Sequence, residues 1–183
     1  MSDKTLVHKL HADVSLEDEG RYYKCHTTLS LDHMEVTDHL YLRLLAFALF
    51  HEAELRFSHH LDSAELPDIY TDDAALGVVL GITGEHRIKR LINTYQTFHL
   101  LMFDDEVTDD AFKPHHYQGA DVWVIERALV KALEDEELLN HRWSLDLSDG
   151  VLNISTAEGH YSGRFSLLDT NFVSGSGALH LPR

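Results

Sequence analysis

The chain has 183 residues, of which 44% are apolar and 25% are charged, and this predicts one globular domain spanning residues 1–183. Its formal net charge of −16 opposes approach to a phosphate backbone, so we expect a protein partner in preference to nucleic acid. The sequence has no apolar run of about 18 residues and no signal-peptide pattern. We therefore expect a protein without a membrane span. A single cysteine, Cys25, cannot form an internal disulfide and fits the reducing cytoplasm, so we expect a cytoplasmic protein.

The first third of the chain predicts a hairpin followed by a long helix. Residues 5–15 and 21–31 alternate between apolar and polar side chains around an acidic turn at 17–20, which is typical of two half-buried antiparallel strands. Residues 37–57 carry apolar side chains at helical spacing and predict the strongest helix of the chain. These apolar residues are Leu40, Leu44, Leu45, Ala48, Leu49 and Leu55.

The middle of the chain predicts a strand, a helix and a second strand. Residues 58–70 are polar and contain Pro67, so we expect a loop there. Residues 74–80 are apolar and suit a central strand buried on both faces. A glycine-containing turn leads into a helix over 85–95 and a parallel strand over 98–103, which together form a βαβ unit.

The last third predicts a strand, a helix and an antiparallel meander. The strand covers 122–125 and the acidic helix 126–140. Three strands follow over 141–147, 150–155 and 161–167, and we expect the tail from 174 to be loose. The fold class is therefore α+β, a mixed β-sheet with helices packed against it.

Four basic residues are candidates for contact with an anion or a partner. Arg87, Lys89 and Arg90 form a dense basic cluster just after Gly84, where a helix N-terminus could receive an anion. The alternative is a solvated helix face paired with nearby acids. Arg43 lies inside the apolar helix, where it either contacts an anion or pairs with a buried acid.

Several short segments, in order, resemble the YaeQ family. They are Glu35, Leu-Arg-Leu-Leu-Ala-Phe at 42–47, Glu-Leu-Arg-Phe at 54–57, Leu-Gly at 80–81 and Glu-His-Arg-Ile-Lys-Arg at 85–90. The specific part of the resemblance covers about residues 5–105. It implies a single YaeQ-like domain with a variant of the PD-(D/E)XK nuclease fold.

The resemblance also shows where this chain departs from the family. The family's strand pattern implies an acid at position 75, a tryptophan at 77 and a glutamate at 79, but this chain has Ala75, Gly77 and Val79. Phosphodiester hydrolysis by Mg²⁺ needs carboxylates that converge on the metal. On that face of the strand Asp73 is the remaining acid, and Glu35 is the nearest candidate for a second.

These observations leave two main hypotheses and a third that depends on charge alone. In the first, the chain is a catalytically degenerate nuclease-like protein that acts as a binding or regulatory module and needs no cofactor. In the second, it is a nuclease or phosphoesterase dependent on Mg²⁺ or Mn²⁺, with a migrated site made of Asp73, Glu35 and Lys89. In the third, it is an acidic protein that docks a basic partner.

Overall fold

The structure is a computed structural model that describes residues 6–31, 35–59 and 65–169. Within these residues the helices are α1 (Thr37–Leu49), α2 (Glu85–Thr94) and α3 (Arg127–Glu134). The strands are β1 (Val7–Leu16), β2 (Arg21–Ser30), β3 (Arg56–Phe57), β4 (Ile69–Tyr70), β5 (Leu76–Leu80), β6 (Thr97–Phe103), β7 (Asp121–Ile125), β8 (Asn140–Ser148), β9 (Val151–Ser155) and β10 (His160–Leu168).

All these strands form one mixed sheet in the order β2-β1-β8-β9-β10-β7-β6-β5-β4-β3. The neighbours β1 and β8 are parallel, as are β5, β6 and β7, and the remaining neighbours are antiparallel. The predicted N-terminal hairpin, the βαβ unit β5-α2-β6 and the C-terminal meander are therefore confirmed. The turn between β8 and β9 has Asp149 and Gly150 at positive φ, as a tight two-residue hairpin requires.

The core divides into two apolar clusters on opposite faces of the sheet. The larger cluster surrounds α1 and draws on both halves of the sheet, from Leu10 on β1 to Phe165 on β10, so the sheet curls around this helix. The smaller cluster lies under α2 and contains Ile88 and Leu91 together with Val79 of β5. Strand β5 is buried along its whole length, as predicted, although it is the third strand from the β3 edge.

Two predicted helices are shorter than their sequence patterns indicate. The predicted helix over 37–57 ends at Leu49, and the chain then turns through Glu54, whose φ of 63° is left-handed. The predicted helix over 126–140 ends at Glu134, and Glu137 also has a left-handed φ of 54°. Two 3-10 helices, Asp104–Thr108 and Pro114–Tyr117, precede β7. The tail from 174, predicted to be loose, lies outside the described residues. None of the described helices is long and apolar enough to cross a membrane.

A buried histidine pair joins the two parallel strands β1 and β8. Nδ1 of His8 and Nε2 of His141 are 2.9 Å apart, and the two rings stack with their centroids 5.2 Å apart. Both residues are buried, at 5% and 2% exposure. Burial lowers the pKa of both, against the raising influence of Glu35 on His8, and it takes the pKa of His141 from 6.5 to about 4.

We expect this pair to make the protein sensitive to acid. Because both imidazoles are held neutral, the unfolded chain binds more protons between pH 6.5 and about 4. The pair's contribution to the free energy of unfolding should therefore be fully present above pH 6.5. It should fall as the pH falls from 6.5 to about 4, by about 3 kcal/mol for His141. Urea unfolding across this range measures the slope. The double variant His8→Phe/His141→Phe should flatten it, and an unchanged slope would contradict this assignment.

Candidate functional site

Ionisable side chains from four parts of the chain meet beside α1 and β5, in what we call the buried ionic cluster. It consists of Glu35, His39, Arg43, Asp68 and Arg87. Three of these residues, Glu35, Arg43 and Arg87, are site candidates from the sequence. Asp68 connects them, because Arg87, His39 and Arg43 all lie close enough to lower its pKa.

The first half of the cluster follows the periodicity of α1. Glu35, His39 and Arg43 are spaced four residues apart, which places them on one side of a helix and its N-terminal extension. Nη1 of Arg43 lies 3.0 Å from Oε2 and 3.2 Å from Oε1 of Glu35, while Nδ1 of His39 lies 2.7 Å from Oε1. The Glu35 side chain has 0% exposure and that of Arg43 has 5%, so this ion pair is removed from water.

The second half of the cluster ties the start of β4 to β5 and α2. Asp68 is 5% exposed and accepts a hydrogen bond from the Leu80 amide at 2.8 Å. Nη2 of Arg87 lies 3.8 Å from the Asp68 carboxylate and donates to the Leu66 carbonyl at 2.9 Å. Burial raises the pKa of Asp68, and the Leu80 amide and Arg87 oppose that rise. The Leu80 amide and Arg87 therefore stabilise the ionised form of this buried carboxyl group.

The Arg43 guanidinium also contacts an aromatic ring. It lies over the ring of Phe57, with Cζ 5.2 Å from the ring centroid, which is cation–π distance. Its Nε is buried and has no hydrogen-bond partner among the residues that the structure describes. A guanidinium with this environment is fixed in place, and its main chemical effect is to neutralise the buried carboxylate of Glu35.

The other sequence candidates have different partners. Asp73 is exposed in the turn between β4 and β5, where hydrogen bonds from the Thr71 hydroxyl and the Ala75 amide lower its pKa. Lys89 is exposed on α2 and pairs with Glu85 one turn earlier. Arg90 is also exposed on α2. Of the predicted basic cluster, Arg87 points inward to Asp68, whereas Lys89 and Arg90 lie on the solvated face of the helix.

The arrangement does not fit a divalent metal ion of the kind that the nuclease resemblance implies. Such an ion takes several carboxylate oxygens at once. In the described part of the chain, no three His, Cys, Asp or Glu side chains are grouped so that they could hold a metal. Glu35 and Asp68 are each paired with an arginine, and Asp73 is exposed with its own local partners. These three carboxylates therefore do not form a metal site of this kind.

The positions of the basic residues on α2 lead to a prediction for nucleic-acid binding. We expect a labelled oligonucleotide to bind weakly, because the net charge of −16 opposes its approach and Arg87 is committed to Asp68. The variant Arg87→Ala/Lys89→Ala should bind no less tightly than the native chain at low and moderate salt. Sub-micromolar binding that is lost in this variant and falls steeply with salt would show a phosphate-binding face instead.

Sequence reasoning did not single out Asp68, His8 or His141. Asp68 falls in a stretch that the proline marked as a loop, although it directly precedes the apolar pair of β4. His8 and His141 occupy inward positions of alternating strands, at the places where an apolar residue is expected. A polar residue at an inward position of such a pattern is a signal that could have identified both histidines.

Comparison with known proteins places the chain beside one group of relatives. A family model described as "YaeQ protein" matches residues 1–164. The chain is 21% identical over 169 residues to "Uncharacterized protein YaeQ" from Salmonella typhi, covering 87% of this chain and 93% of that protein.

Two solved structures have a similar fold. The YaeQ protein from Xanthomonas axonopodis pv. citri superposes with a TM-score of 0.79 at 22% identity, over 90% of this chain and 98% of that one. The YaeQ protein from Pseudomonas syringae superposes with a TM-score of 0.75 at 14% identity, over 92% and 98% of the two chains. At these identities the likeness concerns the fold.

Proposed function

The chain belongs to the YaeQ family, and from this premise we propose that it is a catalytically degenerate binding or regulatory module built on a variant of the PD-(D/E)XK nuclease fold. The observation that carries the proposal is the ion pair between Glu35 and Arg43, with both side chains buried. The Arg43 guanidinium supplies the positive charge beside this carboxylate that a metal ion would have to supply in a nuclease.

The residues of β5 support the same conclusion. Val79, where the family pattern expects a glutamate, is 0% exposed and lies in the apolar cluster with Ile88 and Leu91. At Gly77, where the pattern expects a tryptophan, an added Cβ would come within 2.9 Å of the Tyr95 ring. This face of the strand is therefore filled by apolar packing, and an ionised carboxylate placed there would lose its hydration.

The charge of the whole chain favours a basic protein as the partner. A net charge of −16 attracts cationic surfaces at long range and repels phosphate backbones. Among the arginines, Arg87 and Arg127 are paired with acids of this chain, as Arg43 is. These three arginines are therefore committed to contacts within the chain, while the excess of acidic residues is available to a partner.

Nuclease assays test this proposal directly. We expect no cleavage of DNA or RNA above background with Mg²⁺ or Mn²⁺, because the carboxylates that would bind the metal are absent at positions 75 and 79 or paired with arginine. Matched reactions with a chelator set the background. Metal-dependent cleavage that disappears in Asp73→Asn would instead support a migrated site of Asp73, Glu35 and Lys89.

A further inference from the structure

A cleft of about 460 Å³ opens where α1 ends, inside the curl of the sheet. Its aromatic wall consists of Phe50, His99, Trp123 and Phe165, and its rim carries the charged residues Glu19, Arg21, Glu52 and Asp73. The buried ionic cluster contributes no residue to this lining. Mouths of curled and barrel-like sheets are common positions for binding sites.

The aromatic wall is a continuous set of ring contacts. Phe50 stacks on His99 with centroids 4.5 Å apart, and Trp123 stacks on Phe165 at 5.1 Å. The indole N–H of Trp123 donates to Nδ1 of His99 at 3.2 Å, which fixes the orientation of both rings. Burial lowers the pKa of His99 against the opposing influence of Asp121, so this ring adds no positive charge to the cleft at neutral pH. The wall is therefore rigid, aromatic and uncharged.

The electrostatics of the rim favour a cation. Arg21 is paired with Glu19 at 3.3 Å, and this leaves the carboxylates of Glu52 and Asp73 as additional negative charges. The hydrogen bonds that Asp73 accepts from Thr71 and the Ala75 amide keep it ionised. The C-terminal end of α1, which lines the same cleft, adds a partial negative charge from its last carbonyl groups.

The chain itself places one guanidinium at the rim of the cleft, that of Arg21, whose next two partners lie outside the lining. Arg21 donates to the His51 carbonyl just past the end of α1 at 3.4 Å, and its Cζ lies 5.3 Å from the centroid of the Tyr23 ring. An arginine side chain suits both the aromatic wall and the acidic rim of the cleft, because its planar group stacks on aromatic rings and donates to carboxylates in a fixed fork. A lysine ammonium satisfies the charge but not the planar contact.

We propose that this cleft is the docking point for an arginine side chain of a basic protein partner. The proposal rests on the proposed function as a binding module and names the chemistry that its partner presents. The guanidinium lies against Trp123 and His99, while the carboxylates of Glu52 and Asp73 accept its N–H groups. The partner's positive charge also complements the net charge of −16.

The test uses N-acetyl-arginine amide as the probe and N-acetyl-citrulline amide as its uncharged isostere. The indole N–H signal of Trp123 is followed by NMR, and that of Trp143, which is 3% exposed and does not line the cleft, serves as an internal reference. We expect the arginine probe to shift the Trp123 signal saturably, with little shift of Trp143. The citrulline probe should cause a much smaller shift of Trp123.

Substitution of the rim carboxylates provides the second arm. The variant Glu52→Gln/Asp73→Asn should weaken binding of the arginine probe about tenfold, since two solvent-screened ion pairs are lost. The matched control Asp110→Asn/Glu158→Gln removes the same charge from exposed positions outside the cleft and should leave binding unchanged.

Three results would overturn the docking proposal: no shift of Trp123, equal shifts with both probes, or equal loss in both double variants. These outcomes are separate from the test of the proposed function. Metal-dependent cleavage would overturn the binding module as a whole, whatever the NMR result. Absence of cleavage together with an unresponsive cleft would overturn only the arginine site.

Discussion

Replacing Arg43 by methionine should lower the free energy of unfolding by about 3–5 kcal/mol, because it leaves the buried carboxylate of Glu35 without its main counter-charge. The Glu35 side chain has 0% exposure, and Nη1 of Arg43 lies 3.0 Å from Oε2. Methionine keeps much of the side-chain volume, so the loss reports mainly on the charge. Urea unfolding monitored by circular dichroism measures the difference.

Two controls separate this effect from a general effect of losing an arginine. In Glu35→Gln/Arg43→Met neither ionic charge remains, so part of the lost stability should return. Arg56→Met removes an exposed ion pair with Asp72, whose partners are 59% and 55% exposed, and should cost less than about 1 kcal/mol. A loss below about 1 kcal/mol in Arg43→Met itself would mean that Glu35 finds other compensation.

The second large effect concerns the apolar core. Leu45 is 0% exposed in α1 and belongs to the cluster around which the sheet curls. Leu45→Ala should therefore cost about 2–5 kcal/mol, from lost burial and from the cavity that it leaves. Leu167→Ala makes the same change at 54% exposure and should cost roughly 0.5 kcal/mol or less. Equal losses in the two variants would place Leu45 outside the core.

Local patterns in the sequence predicted most of the elements correctly. Alternation predicted β1 and β2, and the glycine turn after an apolar run predicted β5, α2 and β6. The parallel pairing of β1 with β8 could not be predicted in this way, since it joins residues more than a hundred positions apart and leaves no local signal. The end of α1 was also missed, because Leu55 and Phe57 continue the helical spacing while they pack against the core after a turn.

The candidate site shows the same division between local and long-range information. The sequence identified Glu35, Arg43 and Arg87 separately. Of the two alternatives for Arg43, contact with an external anion or pairing with a buried acid, the structure shows the pairing, with Glu35. The role of Asp68 depends on how β4 lies beside β5, because its partners are the Leu80 amide and Arg87 on α2. The cleft at the end of α1 depends on the curl of the sheet, which brings Trp123 and Glu19 to one opening.

We infer that arginine, and not a metal ion, neutralises the buried carboxylates of Glu35 and Asp68. A crystal of the protein soaked in Mn²⁺, with anomalous scattering recorded, tests it most directly. We expect no manganese peak within coordination distance of Glu35, Asp68 or Asp73, and an intact contact between Arg43 and Glu35. A manganese peak coordinated by Glu35 or Asp68, with Arg43 or Arg87 displaced, would contradict this expectation and support a metal-dependent enzyme.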